Sequence, residues 1–281
     1  MTVCVAAICA TEDGRPSGTI VTASDRLLTW GSSTSETALK AARLAPAWMT
    51  MIAGDDITRG VEDVIRAARA TLAAYEDEAP GVPEVRAALL GAWRDVQNQR
   101  AETAVLNPFR LTIEQFLHMR KQLGTATFLE LAEQIRLTSK LECQLLACGF
   151  DKNKVPALLV CADDSGCRDF TRADFVAIGS GDTSAVATLA FQRYTRQSSL
   201  AAAIYHVCAA KFMSEGAPGV GAQTLVLCLN EDGRTKWIFK THVEQIRKLW
   251  EEHGRPKTPA DSRIAETMAP ILQQQPWREV T

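Results

Sequence analysis

Threonine occupies position 2, directly after Met1. A threonine hydroxyl is a weak nucleophile by itself, but an adjacent α-amine of pKa roughly 8 can act as its base. Removal of an initiator Met ahead of a small residue would leave Thr2 with that amine free. By position alone, Thr2 also reads as an ordinary second residue. The other familiar sources of chemistry are missing from the sequence. It has no G-x-S-x-G elbow, no H-E-x-x-H and no Walker A loop. Gly179-Ser180-Gly181 lies between an expected strand and an expected helix and begins like a dinucleotide loop. It lacks the third glycine and the following acidic residue that such a loop uses. No C-x-x-C occurs and His118, His206, His242 and His253 are scattered, which argues against a zinc site. No cofactor is expected.

Short apolar runs bounded by turn residues must hold any site at this terminus. Residues 3–8 and 18–24 predict two strands of an N-terminal hairpin, with Glu12-Asp13-Gly14 in the turn. A further strand is predicted over 48–53, with another ahead of it at 41–44. Ile57, Val61, Val64, Ala68 and Leu72 recur at helical spacing, and Asp55 or Asp56 suits the N-cap. After a break over 76–83, Val85, Leu89, Ala92 and Val96 mark a second helix that ends by Asn107-Pro108. Ile113, Leu117 and Leu123 mark a third, and Phe128, Leu131 and Ile135 a fourth. This amphipathic block, 76–140, reads first as helices packed on a sheet and second as a partner-binding insertion.

Strands return over 143–150, 155–162 and 175–178. Helices are predicted at 183–195 and 198–213, a closing hairpin at 224–230 and 236–239, and a last helix at 241–253. The tail 254–281 is rich in Pro and Gln and reads as an extended segment. Strands, helices, strands, helices and strands follow in blocks, a segregation that favours an α+β fold.

Composition narrows the function classes. Of 281 residues, 46% are hydrophobic and 23% charged, which is the balance of a globular chain. The net charge of −2 and pI near 6.1 give no basic excess for nucleic acid or an anionic membrane. No apolar run reaches the roughly 18 residues of a membrane span. The opening MTVCVAAICATEDG lacks the basic start and long apolar centre of a signal peptide. Eight cysteines in such a chain predict reduced thiols and a cytoplasmic location. Most lie in apolar runs and read as small core residues.

Four features in order resemble the proteasome β-subunit family of N-terminal-nucleophile hydrolases. Thr2 opens a strand. Thr22-Ala23-Ser24-Asp25-Arg26-Leu27-Leu28-Thr29 is similar to the family's segment of small residues, Asp and a downstream Thr. Lys40 precedes Pro46 and Ile52-Ala53-Gly54 at the family's distance, and Ala177-Ile178-Gly179-Ser180-Gly181 looks like its Gly-Ser-Gly. The likeness covers residues 2–75 and about 142–245. It implies a four-layer αββα sandwich over 1–253, with 76–140 as an enlarged helical insertion. It also implies a peptide or other amide substrate and self-association, with rings as the family's habit, and it identifies no ATPase partner.

By this resemblance Thr2 is the nucleophile and its amine the base. Lys40 sits beside the hydroxyl and favours its deprotonation, while Asp25 holds Lys40 charged and oriented. Gly54 offers a backbone N–H to the oxyanion, a donor worth roughly 3 kcal/mol of barrier. Ser180 bonds the amine, and Thr29 and Ile52 line the substrate channel, where a peptide adds as a strand. Each residue also has an ordinary reading. Asp25-Arg26 is a turn ion pair, Lys40 a solvated side chain, and Gly54-Asp55 and Ser180 are capping positions.

The chain departs from the family in one stretch. Where members carry an Asp and a Ser that complete the bonds to the amine, it has Ala217 and Val220, with Ser214 and Glu215 nearby. That departure keeps a catalytically inactive scaffold or assembly subunit open, and the Gly179–Gly181 loop separately keeps open a nucleotide-dependent enzyme.

Overall fold

A computed structural model describes residues 2–30, 33–54, 60–75 and 78–256, and the side chains of these except 28–30 and 33. The expected Asp55 or Asp56 cap, Ile57 and the tail from 257 lie outside the described residues.

The N-terminal hairpin forms as its turn chemistry predicts. β1 (Val3–Cys9) and β2 (Thr19–Asp25) pair antiparallel, with Cys4 opposite Ser24 and Cys9 opposite Thr19. β3 (Leu28–Trp30) and β4 (Ser33–Ser35) make a separate two-stranded ribbon. β5 (Ala41–Ala45), β6 (Trp48–Gly54), β7 (Cys143–Phe150), β8 (Pro156–Ala162) and β9 (Gly166–Asp169) form one five-stranded sheet in chain order. β10 (Phe175–Gly179), β11 (Thr224–Asn230) and β12 (Thr235–Ile238) complete the other, ordered β10-β1-β2-β11-β12. Every strand pair in both sheets is antiparallel.

Eight α-helices occur among the described residues: α1 (Val61–Leu72), α2 (Val82–Ala101), α3 (Ile113–His118), α4 (Arg120–Leu123), α5 (Thr125–Thr138), α6 (Asp182–Phe191), α7 (Leu200–Ser214) and α8 (Lys240–Leu249). The chain is therefore a mixed α+β protein built on two antiparallel sheets. No helix among the described residues is long and apolar enough to cross a membrane.

Side-chain alternation sets the layers. From β1, Cys4, Ala6 and Ile8 pack against Met49 and Met51 of β6 and Leu146 and Phe150 of β7, so the two sheets face each other. Val3, Val5 and Ala7 point the other way, into a core with Leu189 of α6, Val207 of α7 and Val243 of α8. The far face of the second sheet packs Leu145 and Leu159 against Val64 of α1 and Leu89 of α2. Both faces of the central strands are covered, which is why VCVAAIC reads as one unbroken apolar run.

The helical block divides. α2 packs on the sheet, as the first reading of 76–140 expects. The segments beyond it form a satellite core of their own, in which Leu106 and Phe116 meet Phe128, Leu131 and Ile135. α2 ends at Ala101 and is continued by a π turn, Glu102–Leu106, and a 3-10 turn, Asn107–Phe109. The single helix expected over 113–123 breaks at Met119 into α3 and α4. The short strands β3, β4 and β9 were not among the expected elements, because three or four residues carry too little periodicity to be read.

Candidate active site

Thr2 sits one residue ahead of β1, and the strands on either side of β1 end beside it. Val3 pairs with Gly179 at the end of β10, and Asp25 closes β2 on the other flank. The second sheet brings Lys40, just before β5, and Ala53-Gly54, at the end of β6. The main chain ties these two segments together, since the Ile52 N–H donates to the Lys40 carbonyl at 3.1 Å.

Thr2, Asp25 and Lys40 meet there, each buried. The Thr2 hydroxyl donates to Asp25 Oδ1 and accepts from the Lys40 ammonium. Lys40 Nζ also donates to Asp25 Oδ1 at 3.0 Å and Oδ2 at 2.9 Å. Three backbone N–H groups complete the carboxylate: Val3 at 3.0 Å, Leu27 at 3.0 Å and Gly221 at 3.3 Å. A buried charge is tolerable only when paired and hydrogen-bonded in this way.

The Thr2 carbonyl is held separately. It accepts from Ser180 Oγ and from the Gly181 N–H, each at 3.4 Å. Gly179 has a φ of +96°, and a Cβ there would collide with the Thr2 carbonyl oxygen, so this position requires glycine. Gly54 has a φ of +144°, and a Cβ there would stand 2.5 Å from the Cys143 Cα.

A cleft of about 510 Å³ opens beside Thr2. Ala53, Gly54, Gly179 and Ser180 line it together with Glu142–Gln144 and Ala162–Ser165. Asp163 ties two of these lining segments together: its carboxylate accepts from Trp93 Nε1, Gln97 Nε2 and the N–H groups of Leu141 and Glu142 at 2.9–3.1 Å.

Among the residues singled out in the sequence, Thr2, Asp25, Lys40, Gly54 and Ser180 converge. Ser180 has one hydroxyl proton, shared between the Pro218 carbonyl at 3.0 Å and the Thr2 carbonyl at 3.4 Å. Ile52 does not join them. Its side chain faces the α1 and α2 core, because the pleat that turns Ala53 towards the other sheet turns Ile52 away. Thr29 lies in β3, and its side chain is outside those described.

The stretch that lacks the Asp and Ser has an arrangement of its own. Val220 packs in the core beside α7. Glu215 pairs with Lys211 and Arg247. Ser214 donates to the Gly181 carbonyl at 2.9 Å. Two contributors lay outside the sequence-based set: Gln144, whose Oε1 accepts from the Gly179 N–H at 2.7 Å, and Gly221. Gln144 does carry a signal, as the one polar side chain in the run CQLLACGF.

Thiol chemistry is disfavoured at this site. Cys4 is the cysteine that senses Lys40 and Asp25, and burial pushes its pKa up to about 12. All eight cysteines are buried and none forms a disulfide. No group of three or more His, Cys, Asp or Glu suited to a metal ion occurs among the described residues. No protein-family model and no curated protein matches the chain.

Proposed function

We propose that this chain is an N-terminal-nucleophile hydrolase of the proteasome β-subunit type, cleaving peptide or other amide bonds through an acyl-enzyme on Thr2. The observation that carries this reading is the buried cluster of Thr2, Asp25 and Lys40, drawn from three separate segments to the end of two facing sheets. The layer order and the Gly-Ser-Gly turn between β10 and α6 support it.

In this reading cleavage of the Met1–Thr2 bond frees the α-amine. The amine takes the hydroxyl proton as Oγ1 attacks the substrate carbonyl. Lys40 places a positive charge against the developing alkoxide, and Asp25 keeps that ammonium oriented. The N–H of Gly54 stabilises the oxyanion. The amine then gives its proton to the leaving nitrogen, the ester forms, and water hydrolyses it by the same proton path. Ser180 and Gly181 hold the Thr2 carbonyl and so fix the backbone from which both hydroxyl and amine project.

A second reading has a specific observation behind it. Ala217 and Val220 offer no side-chain hydrogen bond to an amine, and Thr2 is 0% exposed. Those features suit a catalytically silent scaffold of the same fold. Intact mass, with and without a β-lactone that traps N-terminal threonine, separates the two. Loss of Met1 with one adduct on Thr2 supports the hydrolase. Retention of Met1, or loss of Met1 with no adduct, favours the scaffold. Sedimentation of the same sample tests the ring-like self-association that either reading carries.

A further inference from the structure

α7 is an apolar helix with two buried polar side chains on one face of its last turn, Lys211 and Ser214. Lys211 has no side-chain exposure. Its ammonium donates to Glu215 Oε1 at 2.6 Å, the Gly221 carbonyl at 2.7 Å and the Ala222 carbonyl at 3.0 Å, which uses all three of its N–H bonds. Arg247 Nη2 adds a second bond to the Ala222 carbonyl at 3.0 Å.

The clamped backbone leads directly to the Thr2 site. The Gly221 N–H donates to Asp25 Oδ2 at 3.3 Å, and the Ala222 N–H donates to Glu36 Oε1 at 2.8 Å. The fit is close: a Cβ on Gly221 would stand 2.7 Å from both Glu36 Oε1 and the Leu27 Cβ. The charged groups around Lys211 are Glu215 at the C-cap of its own helix, Arg247 on α8 and Asp25 at the end of β2. Burial pushes the ammonium pKa down, and Glu215 opposes that shift. A lysine in an apolar helix layer is costly unless it is paired and hydrogen-bonded, and here those bonds run to Glu215 and to the 221–222 backbone.

We propose that Lys211 is a positioning residue for Thr2 chemistry, clamping the 221–222 backbone so that the Gly221 N–H completes the Asp25 carboxylate. It supplies order in the stretch where Ala217 and Val220 supply no side-chain bond. The proposal rests on Thr2 being the nucleophile.

The test measures β-lactone trapping of Thr2, split into maximal rate and inhibitor affinity, together with hydrogen exchange of the Gly221 amide. Lys211→Met is compared with Leu189→Ala, a core truncation in the same helical layer that serves as a stability control. Lys211→Met is expected to lower the maximal trapping rate on the order of 10²-fold, the effect of a misplacement near 1 Å. Affinity stays near wild type, Gly221 exchanges faster, and Leu189→Ala changes neither readout. A folded Lys211→Met with wild-type trapping rate, or with unchanged Gly221 exchange, overturns the proposal. If Lys211→Met does not fold, Gly221→Ala retains the ammonium and displaces the backbone. It must then show the same loss of rate, and a wild-type rate overturns the clamp. Wild-type protein that has lost Met1 and takes no label defeats the nucleophile reading. The exchange comparison alone then decides the clamp.

Discussion

Lys40 Nζ stands 3.0 and 2.9 Å from the two carboxylate oxygens of Asp25, and neither side chain exposes any surface. Buried ion pairs seldom add net stability over a well-packed apolar pair, because desolvating two charges offsets most of their attraction. This one is compensated by three backbone N–H groups and by the Thr2 hydroxyl. Its ammonium also donates to the Thr2 hydroxyl, the contact on which the proposed nucleophile role rests.

The pair should therefore be asymmetric to mutation. Asp25→Asn leaves the Lys40 ammonium buried without its counter-charge and is expected to cost about 3–5 kcal/mol. Adding Lys40→Met to that variant removes the stranded charge and should recover much of the loss. Urea unfolding of the two single variants and the double variant measures the coupling. Additive losses would mean that the two groups do not interact as the geometry indicates.

Thr2→Ser and Thr2→Ala separate the hydroxyl from the rest of the side chain. Serine retains an oxygen that can bond Asp25 and Lys40, so β-lactone labelling should persist. Alanine removes the proposed nucleophile, and the adduct should vanish while the fold survives. Equal labelling of wild type and Thr2→Ala, read by peptide mapping, would move the reactive group elsewhere.

The sheets were legible where turn residues punctuate apolar runs. Asp13-Gly14, Asp151–Lys154 and Asp232-Gly233 each separate strands that pair as expected. Which face a strand residue takes was not legible, because both faces of β6 are buried and alternation carries no label. That is why Ile52 was expected in the channel and packs under α1 instead. The supports of the site were equally hidden, since Gly221 meets Asp25 from 196 positions along the chain. Lys211 was visible in principle, as a charge within AAIYHVCAAKFMS, but nothing local says what its ammonium holds.

Buried thiols predict how stability falls in alkali. Burial raises Cys4, Cys9, Cys148 and Cys208 from 9.0 to about 12, and Cys228 to about 11. Between pH 9 and 12 the unfolded chain loses these protons and the folded chain keeps them. The folded state then binds more protons, so stability falls as pH rises. Lys211 opposes the trend: its folded pKa is depressed, so it contributes stability that grows as pH rises towards 10.5. One ammonium against five thiols leaves the net slope negative. Urea midpoints from pH 8 to 11 should decrease, and iodoacetamide at pH 8 should label none of these five cysteines in the native protein. A flat profile with native alkylation would show that the thiols are open to solvent.

The helical block offers a test of where cooperativity ends. α2 places Val85, Leu89, Ala92 and Val96 in the core of the second sheet. α5 has no fully buried residue, and its apolar face packs on the satellite core around Leu106 and Phe116. A segment with few buried contacts opens at lower free energy than the sheets beneath it. Hydrogen exchange should therefore be fast over 111–138 and slow over 82–101, although the sequence gives both stretches helical periodicity. Phe116→Ala removes the ring that stacks on Phe128 at 4.7 Å and is expected to cost the block about 3–5 kcal/mol locally. Exchange over 111–138 should then approach that of an unfolded chain, while protection of β1, β2 and β7 stays at its wild-type level. Equal loss of protection in the block and in the sheets would show instead that the satellite core and the sheets unfold as one unit.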